Sequence, residues 1–500
     1  MVILSASQIR AWDAYTLALE SIPSINLMER ACVAFVNWFA PRFEEYKLDG
    51  SGFDVHKEIG VVCGTGNNGG DGLGIARLLF ERKFKVKVWL IAGKTQSQDF
   101  KLNLVKLPKE VDVVEVKEIA SFNPSSVWLI DALFGSGLSR PVDGIYSQVI
   151  KRMNQCRVVS VDVPSGLQID KPSTGDIVRA NHTITFGAIK LPFMFPEYGS
   201  NVGEWHLVDI GLSPEYLSNP NVEREYSYIT SIADLLHGSY KFAHKGMRGH
   251  ALLVAGSLGK MGAGVLASRA ALRSGVGLLT VHVPKIGYQI IQTSVPEAMA
   301  SVDKDEENFS HVPDATKFDA IGVGPGLGIT QSTIAGLRKL MEPGKPMVLD
   351  ADALTIIGEN RDMIKKIPPG SILTPHPGEF RRLVGDWTDD FHRLKLQQEL
   401  SFEGKCVVVL KGAHSSITSP DGKHVWFNST GNAGMAKGGS GDVLTGVLTS
   451  LLAQKYSSTE AAIIGVFGHG RAGDLAAAKI GQNGLMASDI VEFLGQSFRR

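Results

Sequence analysis

Cysteine is scarce: the 500-residue chain carries four, Cys32, Cys63, Cys156 and Cys406, with no C-x-x-C pair and no histidines at zinc-ligand spacing. That excludes a disulfide framework or a zinc ribbon, and a reducing compartment is expected. Neither charge is in excess, since Lys plus Arg and Asp plus Glu each number 51. A zero balance argues against a nucleic-acid surface. No apolar run approaches the roughly 18 residues of a bilayer span, and Met1–Asp13 lacks the basic region, apolar stretch and cleavage site of a leader. A cytoplasmic protein without membrane contact is expected. Repeats and low-complexity tracts are also missing.

What is present is length and alternation. The chain exceeds the ~250–300 residues at which single cores stop growing, so two domains are expected. Short apolar runs at Ile59–Cys63, Val86–Ile91, Val127–Ile130, Val158–Val163, His182–Phe186 and Trp205–Ile210 alternate with helix-like segments. A second series follows at Ala251–Ala255, Leu278–Val283, Ala320–Val323, Met347–Leu349, Ile372–Leu373 and Val407–Leu410, and ends in apolar helical stretches. Each series reads as a three-layer αβα domain with a parallel sheet, whose ligands bind near the carboxyl ends of the strands. The boundaries expected are 1–215, a Ser-, Pro-, Asn- and Glu-rich linker at 216–228, and 229–500.

Gly64-Thr65-Gly66-Asn67-Asn68-Gly69 fits G-x-G-x-x-G after a strand. Alone the motif is weak, and the next strand ends Leu90-Ile91-Ala92-Gly93-Lys94 without the acidic residue that would hold a ribose. A conventional NAD dehydrogenase is disfavoured. The loop continues Gly69-Gly70-Asp71-Gly72, where Asx residues serve equally as turn formers or ligand contacts. Asp131 follows the strand Val127–Ile130, while Asp162 ends the strand Val158–Val161 and leads into Val163-Pro164-Ser165-Gly166. Either Asp alone reads first as a helix cap, but three loops at one sheet edge favour a site. Asn68, Asp131 and Ser165 offer hard oxygen ligands without His or Cys, which suits potassium or a similar ion.

With Asp131-Ala132-Leu133-Phe134-Gly135, these motifs make residues from about Gln8 to Leu212 resemble the N-terminal domain of the bifunctional NAD(P)H-hydrate repair enzymes. The resemblance implies a Rossmann-like epimerase in which Asn67, Asn68, Gly69, Gly70 and Asp71 contact the hydrated nucleotide. It implies the same of Gly135, Ser136, Gly137, Leu138, Ser139, Arg140, Pro141 and Asp162, while Asn68, Asp131 and Ser165 hold K⁺. The hydroxylated carbon of the substrate is a hemiaminal, so its inversion needs a proton removed and returned, and Asp162 is the carboxylate assigned to that.

In the second series, Asn432-Ala433-Gly434-Met435-Ala436-Lys437-Gly438-Gly439-Ser440-Gly441-Asp442 runs into an apolar helical segment. Glycines at a helix start present backbone N–H groups to an anion, and the dipole assists. Asp442 reads either as a first-turn residue favoured by the dipole or as a base beside an anion hole of Gly438, Gly439, Ser440 and Gly441, and the glycines favour the second. Gly256-Ser257-Leu258-Gly259-Lys260-Met261 is not a P-loop. The Gly-Ser-Gly-Asp arrangement resembles the ribokinase-like superfamily. Gly322–Gly328, Leu349–Leu354, Thr374–Phe380 and Val409–Gly412 narrow the resemblance to the ADP- or ATP-dependent NAD(P)H-hydrate dehydratases.

That resemblance implies that Ala263, Gly326, His376 and Asp442 face the hydrated NADH or NADPH. Lys411, Gly412, Ala413, His414, Ser415 and Gly441 then contact the adenine nucleotide, with ADP expected before ATP and Mg²⁺ accompanying it. A Pro-flanked His376 would otherwise be read as a loop histidine. A homo-oligomer is expected. Two rivals stay open: a ribokinase-like small-molecule kinase, which would accumulate a phosphorylated product, and a first domain that only binds nucleotide.

Overall fold

The computed structural model describes residues 1–45, 58–93, 95–124, 128–238 and 241–499. Val127, expected to open a strand, and Lys94, expected just past one, lie outside them. The described chain divides into two compact units, Met1–Arg224 with Asp389–Phe391, and Glu225–Thr388 with His392–Arg500.

In the first unit, β1 (Ile59–Cys63), β2 (Val86–Ile91), β3 (Asp112–Val116), β4 (Trp128–Ala132), β5 (Arg157–Val161), β6 (His182–Phe186) and β7 (Glu204–Val208) form one sheet. All pairs are parallel, in the order β3-β2-β1-β4-β5-β6-β7. Successive side chains point to opposite faces. Val61 accordingly packs with Phe35, Val36, Leu73 and Ile75 of the helices Ser24–Glu45 and Asn67–Glu81, and Val62 with Val149 and Ile150 of the helix Gly144–Met153. Burying each such side chain stabilises by roughly 1.5–3 kcal/mol, which makes the three layers the favoured arrangement. Strand order reverses between β1 and β4, and loops diverge at that point to leave a crevice.

Three details differ from the sequence reading. Asn67–Gly72 is not loop but the first turns of a helix, and Gly72 serves packing: a Cβ there would lie 2.6 Å from Ala132 Cβ and 2.7 Å from Cys63 Sγ. Asp131 lies within β4 rather than after it, whereas β5 ends at Val161, the end read for the strand before Asp162. The edge strand β3, with sequence Asp-Val-Val-Glu-Val and little burial, was not expected.

The second unit holds β8 (Tyr226–Ile229), β9 (His250–Val254), β10 (Leu278–Val283), β11 (Met299–Val302), β12 (Ala320–Val323), β13 (Met347–Leu349), β14 (Ile372–Leu373), β15 (Val407–Leu410), β16 (Ser416–Thr418) and β17 (Val425–Asn428). Their order is β8-β17-β16-β15-β14-β13-β12-β9-β10-β11, parallel except where β16 pairs antiparallel with β15 and β17. Leu253 and Val409 face the helices Met261–Arg273, Ser440–Ala453 and Ser458–Ile480, while Leu252 and Val408 face Gln331–Met341 and Ala351–Glu359. This too is an αβα sandwich. Tyr226–Tyr228, expected in a linker, belong to β8, which pairs parallel with β17. The strands β11, β16 and β17 were not foreseen either.

Candidate active sites

At the carboxyl ends of β1, β4, β5 and β6 opens a cavity of about 650 Å³, within the range of small-molecule sites. Of the residues singled out from sequence, Asn67, Asn68, Asp71, Gly135, Ser136, Gly137, Leu138, Ser139, Arg140 and Asp162 line it. Gly69, Gly70 and Pro141 do not. Gly69 instead allows the helix start to seat on the loop, since a Cβ there would stand 1.9 Å from the Gly64 carbonyl oxygen. Gly70 abuts Met28, and Pro141 is exposed.

Asp162 follows β5 with φ +64°, a left-handed conformation that Asp tolerates better than most residues. Its Oδ1 accepts from Lys190 Nζ at 2.5 Å, from the Phe186 N–H at 3.3 Å and from Thr185 Oγ1 at 3.4 Å. Lys190 is fully buried and also donates to Thr185 Oγ1 and the Phe186 carbonyl. Around this pair stand further carboxylates. Burial first, then Asp162, pushes Asp13 up to about 6, and burial followed by Asp162, Asp13 and Asp99 pushes Asp71 well above the usual range. Lys190, Thr185 and Asp13 were missed from sequence. Lys190 follows a strand inside Ala188-Ile189-Lys190-Leu191-Pro192, and a lysine amid apolar residues was the available signal.

Asp131 and Ser165 sit behind the cavity. Asp131 is fully buried and accepts from Ser165 Oγ (2.6 Å), Ser165 N–H (2.8 Å), Ser160 Oγ (2.8 Å) and Leu133 N–H (3.4 Å). Burial, opposed by those bonds, leaves its pKa raised. All four donors are neutral, and no ion pair of Asp131 occurs among the described residues. Asn68 approaches Gly135, and its buried Nδ2 has no hydrogen-bond partner among the described residues.

The second unit gathers its residues at the carboxyl ends of β9 and β12 to β15. Gly439 caps the helix Ser440–Ala453 with φ +94°, and Asp442 lies in the first turn, where N–H groups have no intrahelical acceptor. Burial and then Asp350 raise Asp442 to about 6 against the opposing pull of Lys411. Lys411 Nζ donates to Asp350 Oδ1 at 2.8 Å and stands 3.8 Å from Glu379, while Thr445 Oγ1 donates to Asp350 Oδ2 at 2.7 Å. A Cβ on Gly441 would meet Lys411 Nζ at 3.4 Å, so the helix start and Lys411 are adjacent.

Gly326, with φ +59°, approaches Ala263: a Cβ on Gly326 would lie 3.2 Å from that of Ala263. His376 caps the helix Pro377–Val384, its Nδ1 accepting from the Gly378 and Glu379 amides, and through Glu379 it adjoins Lys411. Gly412 and Ser415 close a turn over Ala413, and His414 Nδ1 lies 3.3 Å from the Asn428 carbonyl. Ser440 Oγ donates to the Met435 carbonyl, and Gly438 is exposed. Asp350 and Glu379 carry the network, and in the sequence they stand only inside the ranges Leu349–Leu354 and Thr374–Phe380. His469, buried near Ser440 and pushed by burial down to about 4, had no sequence signal.

Comparison with known proteins is decided by coverage of nearly the whole chain. The bifunctional NAD(P)H-hydrate repair enzyme of Moorella thermoacetica is 33% identical over 99% of this chain and 96% of its own length. The chain belongs to the bifunctional NAD(P)H-hydrate repair enzymes. That of Coxiella burnetii is 34% identical over 99% of the chain and 98% of its own, and that of Escherichia coli 34% identical over 87% and 84%. Residues 251–495 match the NAD(P)H-hydrate dehydratase family, and 24–191 the family described as YjeF-related protein N-terminus. Among solved structures, the ADP/ATP-dependent NAD(P)H-hydrate dehydratase from Bacillus subtilis, co-crystallised with ATP/Mg²⁺, is 31% identical, covers 53% of this chain and 95% of its own, and has a TM-score of 0.47.

Proposed function

We propose that the first unit interconverts the R and S hydrates of NADH and NADPH, and that the second dehydrates the S hydrate with ADP as phosphoryl donor. The supporting observation is that each unit holds, at the carboxyl edge of its sheet, a carboxylate arranged for proton transfer: Asp162 beside Lys190, and Asp442 at a glycine-capped helix start.

In the first site, Asp162 takes the hydroxyl proton as the C6–N1 bond opens. The O–H electron pair becomes the carbonyl bond, the C6–N1 pair goes to nitrogen with a proton, and closure on the other carbonyl face gives the epimer. The buried Lys190 Nζ donates to Asp162 Oδ1 and holds that carboxylate in place at the cavity. Asn67, Asp71 and Gly135–Arg140 hold the nucleotide. K⁺ fits behind them, because Asp131 is a buried carboxylate met only by neutral donors, a charge that an ion held by Asn68, Asp131 and Ser165 would balance.

In the second site, Asp442 takes the C6 hydroxyl proton as that oxygen attacks the β-phosphate of ADP, and the Gly438–Asp442 amides receive the developing charge. AMP leaves. Phosphate then departs from C6, driven by the N1 lone pair, and loss of a C5 proton restores the dihydronicotinamide. Mg²⁺ accompanying the nucleotide would be held by hard oxygens of Asp350 and Glu379 beside Lys411, where it would screen phosphate charge. Ala263, Gly326 and His376 border the hydrate, and Lys411–Ser415 the adenine nucleotide.

The test supplies both epimers of hydrated NADH with ADP, then ATP, and follows dihydronicotinamide absorbance. Full conversion of both epimers with AMP and phosphate released is expected. A stable phosphorylated product would instead make the second unit a kinase. Exchange of epimers should slow when K⁺ is exhaustively replaced by Li⁺, and equal rates would reduce Asn68, Asp131 and Ser165 to structural residues.

A further inference from the structure

At the end of the first sheet opposite Asp162, strand pairing brings a histidine of one strand beside a glutamate and a histidine of the next. His182 opens β6 and stands in register with Glu204, which opens β7, and His206 follows two residues later on the same face. Phe186, whose N–H reaches Asp162, is four residues further along β6, about 13 Å at the usual rise. The cluster is thus separate from the epimerase cavity, and none of its three residues lines it.

One ligand atom from each of the three lies within 4.8 Å of the others. His182 Nδ1 is 3.7 Å from Glu204 Oε2, and His206 Nε2 is 3.6 Å from Oε1. Tetrahedral zinc with bonds near 2.0–2.1 Å holds its ligands about 3.3 Å apart, so small side-chain shifts suffice. These two ring nitrogens are buried and have no hydrogen-bond partner among the described residues, an arrangement that costs free energy unless something fills it. Trp38 of the helix Ser24–Glu45 covers both imidazoles at ring-centroid distances of 5.4 and 4.5 Å and fixes their planes. Burial holds both rings toward the neutral form that ligates.

The Glu204 side chain is 69% exposed, so the fourth position faces solvent. Of the charges acting on both rings, Glu204 favours a cation and Arg42, stacked 4.4 Å from the Trp38 centroid, opposes one. Two imidazoles and a carboxylate suit a borderline divalent ion rather than Ca²⁺ or Mg²⁺.

We propose that His182, Glu204 and His206 bind a borderline divalent cation of the zinc type, completed by water, which pins the edge strand β7 to β6. Its role is structural and independent of the epimerase reading.

The full chain, stripped with a chelator, is titrated with Co²⁺, followed by its visible d–d absorption, and then with Zn²⁺. Expected is one equivalent of cobalt with a tetrahedral band, displaced by Zn²⁺, and a higher thermal transition with Zn²⁺. Glu204→Gln and His206→Gln should each weaken uptake more than ~10-fold and abolish the thermal shift while epimer exchange is unchanged. Should His206→Gln not fold, the exposed Glu204 decides alone. Absence of the band and of stoichiometric zinc, or uptake undiminished in Glu204→Gln, overturns the proposal.

Discussion

A carboxylate that must take a proton from an alcohol works best when its own pKa lies near the working pH. Burial and Asp350 bring Asp442 to about 6, and Lys411 keeps it from rising further. Dehydration should therefore fall below about pH 6 with a one-proton slope. The same shift acts on stability: a carboxyl whose folded pKa exceeds the unfolded 3.8 is favourable when protonated, and that contribution is lost as pH rises through about 6. Asp442→Asn should then abolish dehydration, spare epimer exchange, and stabilise the second unit by roughly 1–3 kcal/mol at pH 8 but not at pH 4. Near-normal dehydration would remove Asp442 as the base, and an unfolding midpoint unchanged at both pH values would remove its raised pKa. Asp442 and Asp162 were legible because each follows a local pattern, a glycine-rich helix start or a strand end. Lys190 and Asp13 were not, since their tie to Asp162 is made only when β6 and the helix Ala6–Glu20 close on the cavity.

At the scale of elements, the helix Ser440–Ala453 starts where it does because Gly439 takes φ +94°, and space there is short. A Cβ at Gly439 would lie 2.8 Å from Leu266 Cδ1 and 2.9 Å from Ala487 Cβ. Gly439→Ala adds left-handed strain of about 1–2 kcal/mol to that crowding. We expect the second unit to lose roughly 1–3 kcal/mol and dehydration to fall steeply while epimer exchange is retained; unchanged stability and rate would show that the cap conformation is dispensable. Strands rich in β-branched residues and buried on both faces, such as Val86–Ile91 and Leu278–Val283, were readable from sequence because parallel central strands are nearly continuous apolar runs. Met299–Val302 and Asp112–Val116 lie at sheet edges with at least half their residues exposed, and Ser416–Thr418 is only three residues of an antiparallel turnback. Their signals are weak for that reason. Tyr226–Ile229 was lost to a polar surrounding sequence, although its partner strand lies some two hundred residues away at Val425–Asn428.

For the molecule as a whole, one chain carries two chemistries in two units, each with its own sheet and core and, in the mechanism we propose, its own proton-accepting carboxylate. If the first unit's task is to feed the second, damage to Asp162 must show as a change in which epimer is consumed, not in how dehydration proceeds. Asp162→Asn suits the test, because Asn tolerates φ +64° as Asp does and still accepts from Lys190, so loss of the fold is not the expected cause of any effect. Given a mixture of epimers and ADP, this variant should convert the S fraction at the unmodified rate and the R fraction only as fast as it inverts spontaneously. The absorbance trace then has a prompt phase equal to the S fraction and a slow remainder, whereas the unmodified chain shows one phase to completion. A fast single phase from Asp162→Asn would mean that inversion does not depend on this carboxylate, and the proton would have to be carried by Asp13, whose pKa of about 6 makes it the next candidate. The double variant Asp13→Asn with Asp162→Asn separates those cases, since a slow remainder that appears only in the double variant assigns the proton to Asp13.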